Sequence, residues 1–178
     1  MAIKAGLMPT AVIGDFDSLG AEAMARIPAN RLHRIDEQDC TDFDKALRHI
    51  LTPLVLAVGF TGARLDHELA VYNALVRLAD RPAVVIGEHD ICFHAPATLR
   101  LDLPAGTRVS LFPMTKVTGQ STGLRWPIGG LGFAPDGRVG TSNAATGDPV
   151  TLTMDGPGML VILPRLMLRA VIPALVRG

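Results

Sequence analysis

Along the first ninety positions, apolar residues come in short runs that end at glycines and acidic loops, with helix-spaced stripes between them. Residues 11–13 form an apolar run that stops at Gly14 and gives way to Asp15, Phe16 and Asp17, which reads as a strand feeding an acidic loop. Residues 20–26 predict a short helix ended by Pro28, residues 31–35 a second strand, and residues 36–41 another polar loop. Thr41 followed by Asp44 resembles a capping box with the shorter Asp in place of Glu, so the spacing predicts a helix over 42–51. On that helix Phe43, Leu47 and Ile50 share one face, while Asp42, Lys45 and His49 lie roughly opposite. Residues 54–60 are almost wholly apolar, as in a parallel strand covered on both faces. A loop over 59–67 follows, then a helix expected to carry Leu69, Tyr72, Leu75, Val76 and Ala79 inward, then a fourth apolar strand over 83–87.

Strand, polar loop and helix thus recur three times, the signature of a parallel α/β sheet whose loops lie where such sheets bind ligands. Asp15 and Asp17, then Asp39 and Asp42, then Asp66 can meet at one sheet edge, with Lys45 and Arg64 supplying positive charge. From residue 98 the pattern changes to short strand-like runs, 98–103, 107–114, 150–154 and 159–163, separated by Pro, Gly, Asn and Asp and without a helical stripe. The expectation is therefore an α/β N-terminal domain over 1–95, with a Rossmann-like, three-layer parallel sheet, and a C-terminal all-β sandwich or roll over 96–178. Trp126 lies beside a turn, where it serves either as a core residue or, if exposed, as a stacking surface.

The chain has 178 residues, 17 basic and 17 acidic, so no net charge draws it to nucleic acid or an anionic membrane. Thirteen of the acids precede residue 100, which places clustered negative charge in the first half. In an extended segment Asp15 and Asp17 point to the same side and repel, which a cation, a shared proton or bulk water relieves; Mg²⁺ suits because it leaves room for phosphate oxygens, and the alternative is a solvated acidic turn. No Walker or GxGxxG sequence occurs, so phosphates are not cradled in the glycine-rich ways. Cys40 and Cys92 form no metal or disulfide pattern, which suits a reducing, cytoplasmic setting. Neither a signal peptide nor a membrane span is expected, and the apolar tail over 166–176 reads as a packing or subunit-contact segment.

Five stretches, in order, resemble the thiamine pyrophosphokinase family: Gly14-Asp15-Phe16-Asp17-Ser18, Gln38-Asp39-Cys40-Thr41-Asp42-Phe43-Asp44-Lys45-Ala46-Leu47, Gly62-Ala63-Arg64-Leu65-Asp66-His67, Thr122-Gly123-Leu124-Arg125-Trp126 and Thr141-Ser142-Asn143. The resemblance implies a catalytic α/β domain, a β-rich thiamine-binding domain and a homodimer with active sites between subunits. It implies transfer of the pyrophosphoryl group of ATP to the thiamine hydroxyl. By that likeness Asp15, Asp17 and Asp42 handle Mg²⁺ with Asp66 close by, and Gln38, Thr41, Lys45 and Arg64 serve the phosphates or position the substrates. Trp126, from the partner subunit, stacks on thiamine, and Ser142 and Asn143 hydrogen-bond its pyrimidine. Asp42 or Asp66 is the expected base.

The family also has a first strand and an Ala-Asp-Gly-Gly loop upstream of the Gly14-Asp15 motif, which residues 1–10 do not match; the expectation is either a truncated start or a protein that lacks part of the site, and a missing strand leaves an unpaired sheet edge for a partner chain to cover. Two other classes compete: a thiamine- or nucleotide-binding module without catalysis, and a phosphatase using Asp15-Phe16-Asp17 as a nucleophilic DxD, against which Leu19 counts because that family wants Thr or Val there.

Overall fold

A computed structural model describes residues 3–17, 19–37 and 39–176, which form two compact units, Met1–Ile50 and Leu51–Gly178. Ser18 and Gln38 lie outside the described residues.

In the first unit, β1 (Val12–Gly14) pairs in parallel with β2 (Leu32–Arg34), in register Val12 to Leu32 and Gly14 to Arg34. Between them runs the short helix α1 (Ala21–Arg26). The helix α2 (Asp42–His49) packs on β1. Thr41 caps it as the sequence predicts, its Oγ1 accepting the Asp44 N–H at 3.3 Å. Asp42 and Asp44 in the first turn, with Arg48 and His49 in the last, complement the helix dipole. The expected faces of α2 are corrected in part: Phe43 and Leu47 are buried, but Ile50 is exposed and Lys45 is only 1% exposed. Charge pairing overrides hydropathy here, because carboxylates await the ammonium inside.

The second unit holds a six-stranded sheet in the order β3-β4-β5-β11-β7-β9 and a three-stranded sheet in the order β6-β10-β8. The strands are β3 (Val55–Val58), β4 (Ala83–Ile86), β5 (Asp90–His94), β6 (Thr98–Leu101), β7 (Arg108–Pro113), β8 (Gly119–Thr122), β9 (Gly140–Ala144), β10 (Val150–Met154) and β11 (Met159–Pro164). β3 and β4 are parallel, and every other pair in this unit is antiparallel. The fold is therefore mixed α/β, with its parallel pairs β1-β2 and β3-β4 in separate sheets. The boundary expected between 95 and 96 falls inside the second unit, where one sheet carries strands from both sides of it.

Alternating positions of β6 and β10 (Leu99, Leu101, Val150, Leu152) join Phe93, Leu111, Met159 and Val161 of the larger sheet in one apolar core. α3 (Leu65–Arg77) packs on β5 and β11 through Val71, Ala74 and Leu75, whereas Leu69 and Ala79 of the expected inward stripe are exposed. β3 is likewise not covered on both faces, since Leu56 and Val58 are exposed. The tail forms α4 (Leu168–Val176), which packs on β6 and buries Val171 and Leu175. Cys92, buried in β5, has its thiol pushed up to about 12 by desolvation, and both cysteines are free.

Phe93 is fully buried at the centre of this core. Phe93→Ala is expected to lower unfolding stability by about 3–5 kcal/mol in urea titrations, while Leu166→Ala at an exposed site changes it by about 0.5 kcal/mol or less.

Candidate active site

In the first unit the backbone brings together the loops after β1 and β2. The Ile35 N–H donates to the Gly14 carbonyl at 2.9 Å, and Phe16, at φ 70°, turns the acidic loop back so that its carbonyl accepts the Leu19 N–H. Gly14 has φ 152°, and a Cβ there would lie 2.7 Å from Asp42 Oδ1. Only glycine lets the first turn of α2 press its carboxylate against β1.

The Lys45 ammonium sits between the two loops, 3.4 Å from Asp15 Oδ2 and 3.7 Å from Asp42 Oδ1. A buried ammonium is costly unless paired, and these two carboxylates supply the pairing. The Asp17 N–H donates to Asp15 Oδ1 at 3.0 Å, and that bond together with Lys45 holds the Asp15 carboxyl below its usual range. Arg34, which the sequence reading passed over, donates to Asp36 at 2.5 Å and is held in its charged form by Asp36, with smaller pulls from Asp17 and Asp15. A neighbouring network joins Arg48 to Asp44 at 2.8 Å, to Glu37 at 2.7 Å and to Cys40 Sγ at 2.9 Å, tying the loop after β2 to α2. His49 spends its Nδ1 on the Lys45 carbonyl at 2.7 Å.

Among the described residues no group of three or more His, Cys, Asp or Glu side chains is placed to hold a metal ion. The expected set of Asp15, Asp17 and Asp42 is present instead as a pair of carboxylates, Asp15 and Asp42, around Lys45, with Asp17 contributing its backbone N–H. Such a donor set, oxygen only and open to other ligands, fits a Mg²⁺ ion that keeps water and phosphate oxygens in its shell.

The second unit holds the remaining candidates in two places. At the start of α3, Arg64 donates to Asp66 through Nε at 3.1 Å and Nη2 at 2.5 Å, which leaves three guanidinium N–H donors unused. Glu68 accepts the Gly62 N–H at 3.0 Å and the Tyr72 hydroxyl at 2.7 Å, fixing the loop that presents them.

The other place is a cleft of about 320 Å³ lined by Trp126, Phe133, Arg138, Thr141, Ser142 and Asn143 among others. Trp126 is 54% exposed, so it is a surface indole and not a core residue, and the Arg125 guanidinium lies 4.9 Å from its ring centroid. Asn143 is buried, and its Oδ1 accepts the N–H groups of Trp126 at 3.1 Å and Ala144 at 2.8 Å, while its Nδ2 donates to the Trp126 carbonyl at 2.6 Å. One amide proton has no partner among the described residues, and the rest of the side chain holds Trp126 in place. Phe133 and Arg138 escaped the sequence reading because nothing in their local pattern marks a cleft formed across strands.

The family model described as thiamin pyrophosphokinase, catalytic domain, matches residues 1–86. Thiamine pyrophosphokinase 1 of Arabidopsis thaliana is 25% identical over an alignment covering 87% of this chain and 65% of that protein. Thiamine pyrophosphokinase 1 of Oryza sativa subsp. japonica is 26% identical, covering 83% and 63% respectively, so the chain spans somewhat less than two thirds of the length of these relatives. The solved thiamin pyrophosphokinase from Geobacillus thermodenitrificans superposes with a TM-score of 0.71 at 26% identity, covering 91% of this chain and 80% of that one. That of Candida albicans shares the fold at a TM-score of 0.73 and 15% identity, over 90% of this chain and 76% of that one.

The Arg64 pairing sets the acidity of Asp66, whose carboxyl is lowered from 3.8 to about 2. With the folded-state value depressed, the ion pair contributes stability above about pH 4 and loses it as pH falls towards 2, and added salt weakens it because both groups are exposed. Arg64→Gln is expected to return Asp66 to about 4, read from the carboxyl ¹³C shift against pH; a value still near 2 would show that another group is responsible.

Proposed function

We propose that the chain belongs to the thiamine pyrophosphokinase family, whose catalytic-domain model matches residues 1–86, and that it transfers the pyrophosphoryl group of ATP to the hydroxyl of thiamine, giving thiamine diphosphate and AMP. The observation that carries the reading is the cleft in the second unit. Trp126 and the adjacent pair Ser142 and Asn143, separated in sequence and expected to serve one ligand, line it together.

In this reading the acidic loops and the loop before α3 serve ATP, and the cleft lined by Trp126 serves thiamine. Asp15 and Asp42 hold Mg²⁺, with Asp17 bracing Asp15. When bound, Mg²⁺ supplies positive charge to the phosphate oxygens, whose neutralisation with in-line positioning is most of what phosphoryl transfer requires. Thr41, Lys45 and Arg64 reach the phosphates, Arg64 through its unused donors, and Gln38 serves with them.

Trp126 offers one ring face to the aromatic substrate, the other being taken by Arg125. The Ser142 hydroxyl and the remaining Asn143 proton address the pyrimidine. The thiamine oxygen attacks the β-phosphorus, its proton passes to a carboxylate, and the α,β-bridging bond breaks to release AMP. Asp42 or Asp66 is the candidate base, the latter held well below the usual carboxylate range by Arg64. We place the enzyme in the cytoplasm, where free Cys40 and Cys92 persist, as a homodimer with its active sites between subunits.

The test is AMP release from purified protein with Mg²⁺-ATP, with and without thiamine. Thiamine-dependent AMP is expected, abolished by a chelator and reduced about 100-fold or more by Asp15→Ala. Trp126→Ala is expected to raise the thiamine KM about tenfold with little change in the ATP KM. Absence of thiamine-dependent AMP, or full activity in Asp15→Ala, would overturn the proposal.

A further inference from the structure

Ser110 is a buried hydroxyl, 4% exposed, on a strand whose neighbours Val109 and Leu111 are apolar and wholly buried. It sits where the pairing of β7 with β9 slips. Val109 opposes Asn143 and Leu111 opposes Gly140, so Ser110 alone faces two residues, Thr141 and Ser142. The extra residue of β9 leaves the ladder, and Ser142 takes φ 63°, a left-handed conformation uncommon outside glycine. Its displaced N–H donates to Ser110 Oγ at 3.0 Å. The next residue is Asn143, whose amide clamps the backbone of Trp126 on both sides. The bulge therefore stands directly behind the rim of the cleft that Thr141, Ser142, Asn143 and Trp126 line.

We infer that Ser110 is a positioning residue for substrate binding: its hydroxyl anchors the bulge that presents Ser142 and, through Asn143, the Trp126 indole to the ligand. The inference rests on the reading of this cleft as the thiamine site. A bulged backbone with an unusual φ persists only when its surroundings hold it there. With the acceptor removed, the Ser142 N–H turns to water, the segment relaxes towards ordinary strand geometry, and the rim moves. A glycine at 142 would hold the left-handed turn without that anchor.

The experiment measures kcat and both KM values for the wild type, Ser110→Ala, Ser142→Gly and the double variant, with thiamine quenching of Trp126 fluorescence and thermal melts alongside. Ser110→Ala is expected to raise the thiamine KM about tenfold, the size of one lost hydrogen bond, and to leave the ATP KM within about twofold. In the Ser142→Gly background the same change is expected to add less than about twofold, because the two residues are coupled. An unchanged thiamine KM in Ser110→Ala, an equal rise in both backgrounds, or a fall in melting temperature with both KM values rising together would overturn the inference. A wild type with neither thiamine-dependent AMP nor thiamine quenching would instead overturn the reading of the cleft, and this inference with it.

Discussion

The first unit is arranged around one buried positive charge. An ammonium taken out of water costs several kcal/mol unless carboxylates meet it, and Lys45 is almost wholly out of water. Asp15 arrives from the loop after β1 and Asp42 from the first turn of α2, so the charge fixes how that loop and helix approach each other. The glycine at position 14 follows from the same constraint, since any side chain there would occupy the place of the Asp42 carboxylate. The arrangement that stabilises the lysine also gathers the Asp15 and Asp42 carboxylates around one ammonium, so that the packing of this unit and its charge pairing share the same atoms.

The second unit solves a different problem. An antiparallel sheet presents regular, flat faces, whereas a ligand cleft needs a concave rim with polar groups aimed into it. Here the irregularity is a single extra residue in β9, accommodated by a left-handed Ser142, and an asparagine whose amide is almost entirely used on the backbone of Trp126. An exposed indole is thereby held in one place by bonds to its backbone and by a guanidinium over one of its faces. Rigid support of this kind lowers the ordering cost of binding.

The acidic loop, the Thr41 cap of α2, α3 and the strands β4, β6, β7, β10 and β11 were legible from local pattern because each depends on near neighbours in sequence. β5, β8 and β9 were not, because Gly119–Thr122 and Gly140–Ala144 are polar and glycine-containing and become strands only by pairing with β10 and β7. The tail helix contains Pro173, which masked it. On α2 and α3 the periodicity was right while the buried face was partly misjudged. Lys45 looked like surface on hydropathy, and Leu69 looked like core, because hydropathy does not know what lies opposite.

By itself the sequence determined which residues are candidates for the chemistry: the carboxylates of the first loops, Arg64 with Asp66, and the Trp126 and Ser142-Asn143 turns, all picked out by residue type and spacing. Only the tertiary structure decided how they are used. It buried Lys45 between Asp15 and Asp42, spent Asn143 on Trp126, exposed the indole, and placed Ser110 under the bulge. The reason is physical: spacing along a chain fixes local backbone geometry, whereas burial, ion pairing and strand register depend on groups brought from far away in sequence.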